Sequence, residues 1–193
     1  MLYGVIILVL CAGAAAGVGW MRYRQSEEFR FHAALARSIQ LRSNAFLNGE
    51  SIPDEYTCRG EGISPPLAWL HLPPNSKSLV LMVTDEELPV PAFPLFNIVH
   101  WVLINIPAGT DGFPAGVAEA ELAKAGIRSL PNWSRETGYY PPCPLYGNHR
   151  YAFRIYALDM ERMDAGIRNR SGLLKAMRGH ILAYGEWNGY CRR

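Results

Sequence analysis

Pro141-Pro142-Cys143-Pro144-Leu145-Tyr146-Gly147-Asn148-His149-Arg150-Tyr151 is a stiff loop that runs straight into a strand. Its prolines fix φ and withhold backbone N–H donors, so the loop is rigid and cannot be a ladder strand. Gly147 and Asn148 supply the turn. From His149 the pattern becomes period two. His149, Tyr151, Phe153, Ile155 and Ala157 share one face; Arg150, Ala152, Arg154 and Tyr156 share the other. A histidine therefore heads an apolar row and marks a candidate binding site.

The chain has 193 residues, 49% hydrophobic and 19% charged, with net charge +2. That suits one globular domain with a sizeable core plus an N-terminal extension. The charge is too near neutral to point to nucleic acid, and no nucleic-acid partner is expected. The four cysteines form no CxxC pair and no zinc spacing. Cys11 sits in an apolar N-terminal run. That leaves Cys58, Cys143 and Cys191 in the folded part, enough for at most one bridge. No cofactor is expected.

Leu2 to Trp20 carries no charge and is long enough to span a bilayer as a helix. Trp20, Arg22, Tyr23 and Arg24 come next as an aromatic and basic border. The expectation is a membrane-spanning segment at 1–24, a linker at 25–37 and one domain at 38–193. The protein would then be a single-pass membrane protein. The C-terminal basic flank favours a cytoplasmic domain by the positive-inside rule. Export is the usual fate of a domain placed after such a segment, so both orientations stand. A cleaved signal peptide is the rival reading, with Ala14-Ala15-Ala16 as small residues.

Within the domain, Ile39, Leu41 and Phe46 read as a first strand, and Asn48-Gly49 as a turn. Ser64 to Trp69 reads as the entry to an edge strand. Ser78 to Asp85 is apolar on both faces and reads as a central, buried strand. Asp85 ends its row and needs partners there. Pro89, Pro91 and Pro94 predict a rigid excursion. Ile98 to Ile106 is a second central strand, interrupted by His100. The long connection 107–140 carries a short helix at 118–125 and reads as a functional or partner-facing loop. Ser171 reads as the N-cap of a terminal helix with Leu173, Leu174, Met177, Ile181 and Leu182 as its stripe, Gly179 inside it and Gly185 as its stop.

Asp85, His100 and His149 each interrupt or end an apolar row beside a proline-rich loop. Neutral imidazole donates one hydrogen bond and imidazolium two, so the set suits an anion, with binding that strengthens as pH falls through the histidine range. A carboxylate nearby orients an imidazole. Two other chemistries use the same three residues. One is a hydrolase with a histidine general base and Asp85 as its orienter. The other is a metal site of two imidazoles and a carboxylate.

Several motifs carry a family resemblance. They are Phe46-Leu47-Asn48-Gly49-Glu50-Ser51-Ile52-Pro53, Tyr56-Thr57-Cys58-Arg59-Gly60 and Ser64-Pro65-Pro66-Leu67-Ala68-Trp69. With them come His100-Trp101-Val102, Asn105-Ile106-Pro107, Cys143-Pro144 through Tyr151, and Gly179-His180-Ile181-Leu182-Ala183 with Gly185-Glu186. In order, from about Ile39 to Tyr190, the chain resembles the phosphatidylethanolamine-binding protein family, in its bacterial Raf kinase inhibitor-like (YbhB/YbcL-like) branch. The resemblance implies an all-β-dominated fold, a β-sandwich of antiparallel sheets with a Greek-key core and a C-terminal helix. It implies a binding protein rather than an enzyme, with a pocket for a small anion or phosphorylated head group and a protein partner, such as a kinase or protease, that it modulates. The implied ligand-binding residues are Asp85, His100, Cys143, His149 and Tyr151. Cys58 and Cys143 both sit in family motifs, as a bridge or as two buried thiols. Leu88–Pro89 falls where the family often has a cis peptide. In two places the chain departs from the pattern. Glu86 and Glu87 put negative charge beside the expected anion site, and Pro141 and Leu145 replace a glycine and a proline of the loop motif.

Overall fold

Ser78–Val90 forms the strand (β4) about which the chain assembles. Leu79, Leu81 and Val83 point into one hydrophobic cluster, and Val80 and Met82 into another. All five are fully buried, so β4 needs a covering layer on each face. The computed structural model describes residues 17, 19 and 31–193.

The other elements, in order, are β1 (Gln40–Arg42), β2 (Glu50–Ser51), a 3₁₀ turn (Asp54–Tyr56), β3 (Leu67–Leu70), then β4, β5 (Phe93–Pro107) and β6 (Gly112–Phe113). They continue as helix α1 (Glu119–Lys124), β7 (Arg128–Ser129), β8 (Asn148–Leu158), helix α2 (Arg170–Met177) and β9 (Ile181–Arg192). The larger sheet has the order β2-β9-β8-β4-β5-β7, and a smaller one the order β1-β3-β6. The smaller sheet covers one face of the larger through Leu41, Leu67, Trp69 and Phe113. On the other face Met163, Ile167, Leu173 and Met177 bring down α2 and the chain before it. The larger sheet is mixed rather than all antiparallel, because β2 joins β9 in parallel. β3 lies in the middle of its sheet, not at an edge.

The expected C-terminal helix is corrected. α2 ends at Met177, and Ile181–Arg192 is a strand paired with β8 along its length. Gly179, at φ +82, is the stop after the helix and not a residue inside it. Its N-cap is Asn169, whose side chain accepts from Gly172 N–H at 2.9 Å, so Ser171 lies within the first turn. The proline excursion is also a strand pair. β4 and β5 stay paired, through shifts of register, to Val90 and Phe93, and the Leu88–Pro89 peptide is cis.

The transmembrane helix expected at Leu2–Trp20, and the single-pass membrane localisation drawn from it, do not stand. Among the described residues no helix is long and apolar enough to cross a membrane. Helices of 6 and 8 residues reach only about 9 and 12 Å, against a hydrocarbon core of about 30 Å. Apart from Gly17 and Gly19, the stretch itself lies outside the described residues.

β9 is held close to the chain before β1, because a Cβ on Gly185 would stand 2.4 Å from the Ile39 carbonyl oxygen. The Ile39 N–H is itself bonded to the Tyr184 carbonyl, so the backbone there cannot easily retreat. Gly185→Ala is expected to cost about 1–3 kcal/mol in urea unfolding. An unchanged midpoint would show that this edge is loose.

Candidate functional site

Asp85 and Tyr151 are directly opposed in the β4–β8 ladder. His149, two residues earlier on the same face, lies diagonally across from Asp85. Its Nδ1 meets Asp85 Oδ2 at 2.7 Å. The other carboxylate oxygen, Oδ1, accepts from the Glu87 N–H at 2.9 Å. Burial, and after it the Asp85 carboxylate, pushes the Tyr151 hydroxyl far above its ordinary range, so it stays protonated.

His100 reaches this group by a local irregularity. Its parity along β5 matches Val102 and Ile104, which pack on the opposite face of the sheet. Between the pairs Val83–Trp101 and Thr84–Val99, however, the register shifts by one residue. That β-bulge re-aims His100. Its ring meets Tyr151 edge-on, with centroids 5.0 Å apart. The Tyr140 N–H donates to the His100 carbonyl, and His100 Nδ1 donates back to the Tyr140 carbonyl, each at 2.7 Å. Burial pushes the His100 pKa down to about 4, against the opposing pull of Tyr140 and Asp85. His100 is thus neutral through the ordinary histidine range, and the expected pH response through both histidines is corrected for this one.

Asp85, His100, His149 and Tyr151 form one contiguous cluster, each about 1% exposed. Within it the Nε2 atoms of His100 and His149 are both buried without a hydrogen-bond partner. Among the described residues no group of three or more His, Cys, Asp or Glu is placed to hold a metal ion, since Asp85 turns its oxygen onto the His149 ring.

The loop before β8 is fastened from several sides. Cys143 is joined to Cys58 by a disulfide with a Cα–Cα distance of 5.4 Å. Cys143 therefore offers no thiol to a ligand. The Cys58 N–H donates to the Pro142 carbonyl at 3.1 Å, and Arg193 Nη1 to the Leu145 carbonyl at 2.7 Å. Cys191 is a buried free thiol. The bridge closes a loop of 85 residues. Reducing it, or making Cys143→Ser, is expected to lower stability by about 2–5 kcal/mol. Thermal melts with and without reductant measure this; coincident melts would count against it.

Glu86 and Glu87 do not crowd the histidine cluster with charge. Glu86 points to the opposite face of the sheet, where Arg154, Thr84 and Arg150 engage it. Glu87 accepts the Arg150 N–H at 2.7 Å, and so ties the residue after His149 to the residue that holds Asp85. Arg154 also donates from Nε to Glu186 Oε2 at 2.6 Å. A cavity of about 530 Å³ lies on this second face, lined by Arg37, Arg150, Arg154, Glu86, Glu87 and Glu186 among others. Its cations and carboxylates are already paired with each other. Two contributors to this geometry escaped the sequence. The Tyr140 carbonyl leaves no side-chain signature. Glu87 acts through its N–H and a carboxylate that replaces a missing rung of the ladder.

Over residues 42–192 the chain matches the phosphatidylethanolamine-binding protein family, and it belongs to that family. It is 38% identical over 156 residues to a UPF0098 protein of Methanothermobacter thermautotrophicus, covering 80% of this chain and 99% of that one. A UPF0098 protein of Chlamydia trachomatis is 39% identical over 151 residues, covering 78% and 97%. Among solved structures, a putative phosphatidylethanolamine-binding protein homolog from Chlamydia trachomatis aligns with a TM-score of 0.72 at 36% identity, covering 82% of this chain and 99% of that one. E. coli YbcL shares the fold, with a TM-score of 0.68 at 24% identity and coverage of 80% and 98%.

Proposed function

We propose that this protein binds a small oxyanion, a phosphate or phosphorylated head group, between His100 and His149. The observation that carries this reading is the pair of buried imidazole nitrogens without a partner in one cluster. A buried polar atom left unpaired costs about 1–3 kcal/mol, and an oxyanion that engages both relieves both. Asp85 and the Tyr140 carbonyl fix the two ring orientations in advance, which lowers the cost of binding. The name of the family points the same way, toward a phosphate-bearing ligand.

A partner protein has its best contact in the 107–140 connection, where Trp133 is 58% exposed. Trp133→Ala should weaken capture of a partner while leaving anion binding intact.

Isothermal titration with inorganic phosphate tests the anion site. His100→Phe keeps a ring against Tyr151 and removes both nitrogens, the Nδ1 on the Tyr140 carbonyl included. It is expected to weaken binding about tenfold or more. Unchanged affinity would rule His100 out as a ligand group.

A further inference from the structure

The partners of the two imidazoles fix where protons sit in the cluster. His100 Nδ1 faces a carbonyl, which only accepts, so Nδ1 carries the hydrogen. His149 Nδ1 faces the Asp85 carboxylate and carries its hydrogen by the same logic. A neutral imidazole has one N–H, so each Nε2 then presents a lone pair. Two buried lone pairs repel a bare oxyanion. They hold one only where a proton lies between nitrogen and oxygen.

We infer, building on the oxyanion reading above, that the site selects phosphate monoesters over diesters. The P–OH of the monoester donates to His100 Nε2. An ionised oxygen of the same phosphate accepts from the Nε2–H of protonated His149, whose Nδ1–H stays on Asp85. The complex thus holds a monoester monoanion and a His149 with a hydrogen on each ring nitrogen, and no bond to phosphorus forms or breaks. A diester has no P–OH and leaves His100 Nε2 unpaired in the interior. Head groups in diester linkage are therefore poor guests, and free phosphate or a monoester is a good one.

Burial supports this assignment, because the low pKa of His100, about 4, makes the ligand rather than the protein the source of that proton. The titratable groups around His149 come from every packed element. Asp85 stands on β4, His100 on β5 and Tyr151 on β8, while Cys191 is the register partner of His149 on β9. Tyr139 and Tyr140 come from the connection, and Tyr139, Tyr151 and Cys191 are all pushed upward by burial and stay protonated. Asp85 is the carboxyl group on the His149 ring, and Arg59 and Asp54 act on Cys191.

The test is calorimetric titration of the full chain with methyl phosphate and with dimethyl phosphate, at about pH 5.5 and upward. At the lowest pH methyl phosphate is expected to bind at least tenfold more tightly. Its affinity should fall at least tenfold per pH unit above about pH 6, where the P–OH ionises. His100→Phe should bring the two affinities together. Equal affinities in the unaltered protein, or a monoester affinity that ignores pH, would overturn the inference and leave the oxyanion reading intact. Binding of neither ester would overturn both.

Discussion

Arg154→Ala is expected to destabilise the protein by about 3–5 kcal/mol, a larger loss than Gly185→Ala should cause. The guanidinium is 5% exposed and bridges Glu86 on β4 to Glu186 on β9. Both carboxylates are themselves mostly buried, so truncation leaves them only the more distant Arg150 and Arg37. Burial alone would raise both carboxyl pKa values. The Arg154 charge outweighs it and holds both below the usual range. A depressed carboxyl contributes stability that is present above its unfolded pKa, about 4.3, and is lost as pH falls through the folded value. The deficit of the variant should therefore be full near neutrality and shrink below about pH 4. Urea unfolding across pH measures it. A variant within about 1 kcal/mol of the parent would mean that Arg150 and Arg37, the nearby cations, carry the cluster instead.

His149→Ala is expected to cost about tenfold to a hundredfold in phosphate affinity, because it removes one of two binding nitrogens, on the ring whose Nδ1 meets Asp85. Far-ultraviolet circular dichroism should show the strands retained, since Asp85 keeps the Glu87 N–H and Tyr151 beside it. Wild-type affinity in a folded variant would remove His149 from the site. Loss of both fold and binding would be separated by the His100→Phe variant, which leaves the Asp85–His149 pair untouched.

The sequence exposes those parts of the site that obey simple alternation. His149, Tyr151 and Asp85 head or end rows whose period of two survives into the structure, so their shared face could be read directly. His100 obeys the same alternation and is misplaced by it, because a bulge between Val99 and Trp101 shifts the register by one. Bulges leave no mark in an apolar run. β9 was hidden for a different reason. Leu173, Leu174, Met177, Ile181 and Leu182 continue a helical spacing by coincidence across Gly179, and the stripe conceals the aromatic and glycine pattern of Tyr184, Gly185, Trp187, Gly189 and Tyr190. Glu86 and Glu87 looked unfavourable for an anion site because a sequence gives charge without direction. In three dimensions both face cations or an N–H elsewhere.

Two imidazole nitrogens, each aimed by its neighbour, are proposed to meet one oxyanion. Side-chain nitrogen NMR of the histidines reads this directly. In the free protein near neutrality His100 is expected to carry its hydrogen on Nδ1 and none on Nε2, and methyl phosphate should shift the Nε2 resonances of both His100 and His149 in the same saturable titration. A free-state hydrogen on His100 Nε2, or a titration that leaves either Nε2 unmoved, would contradict it.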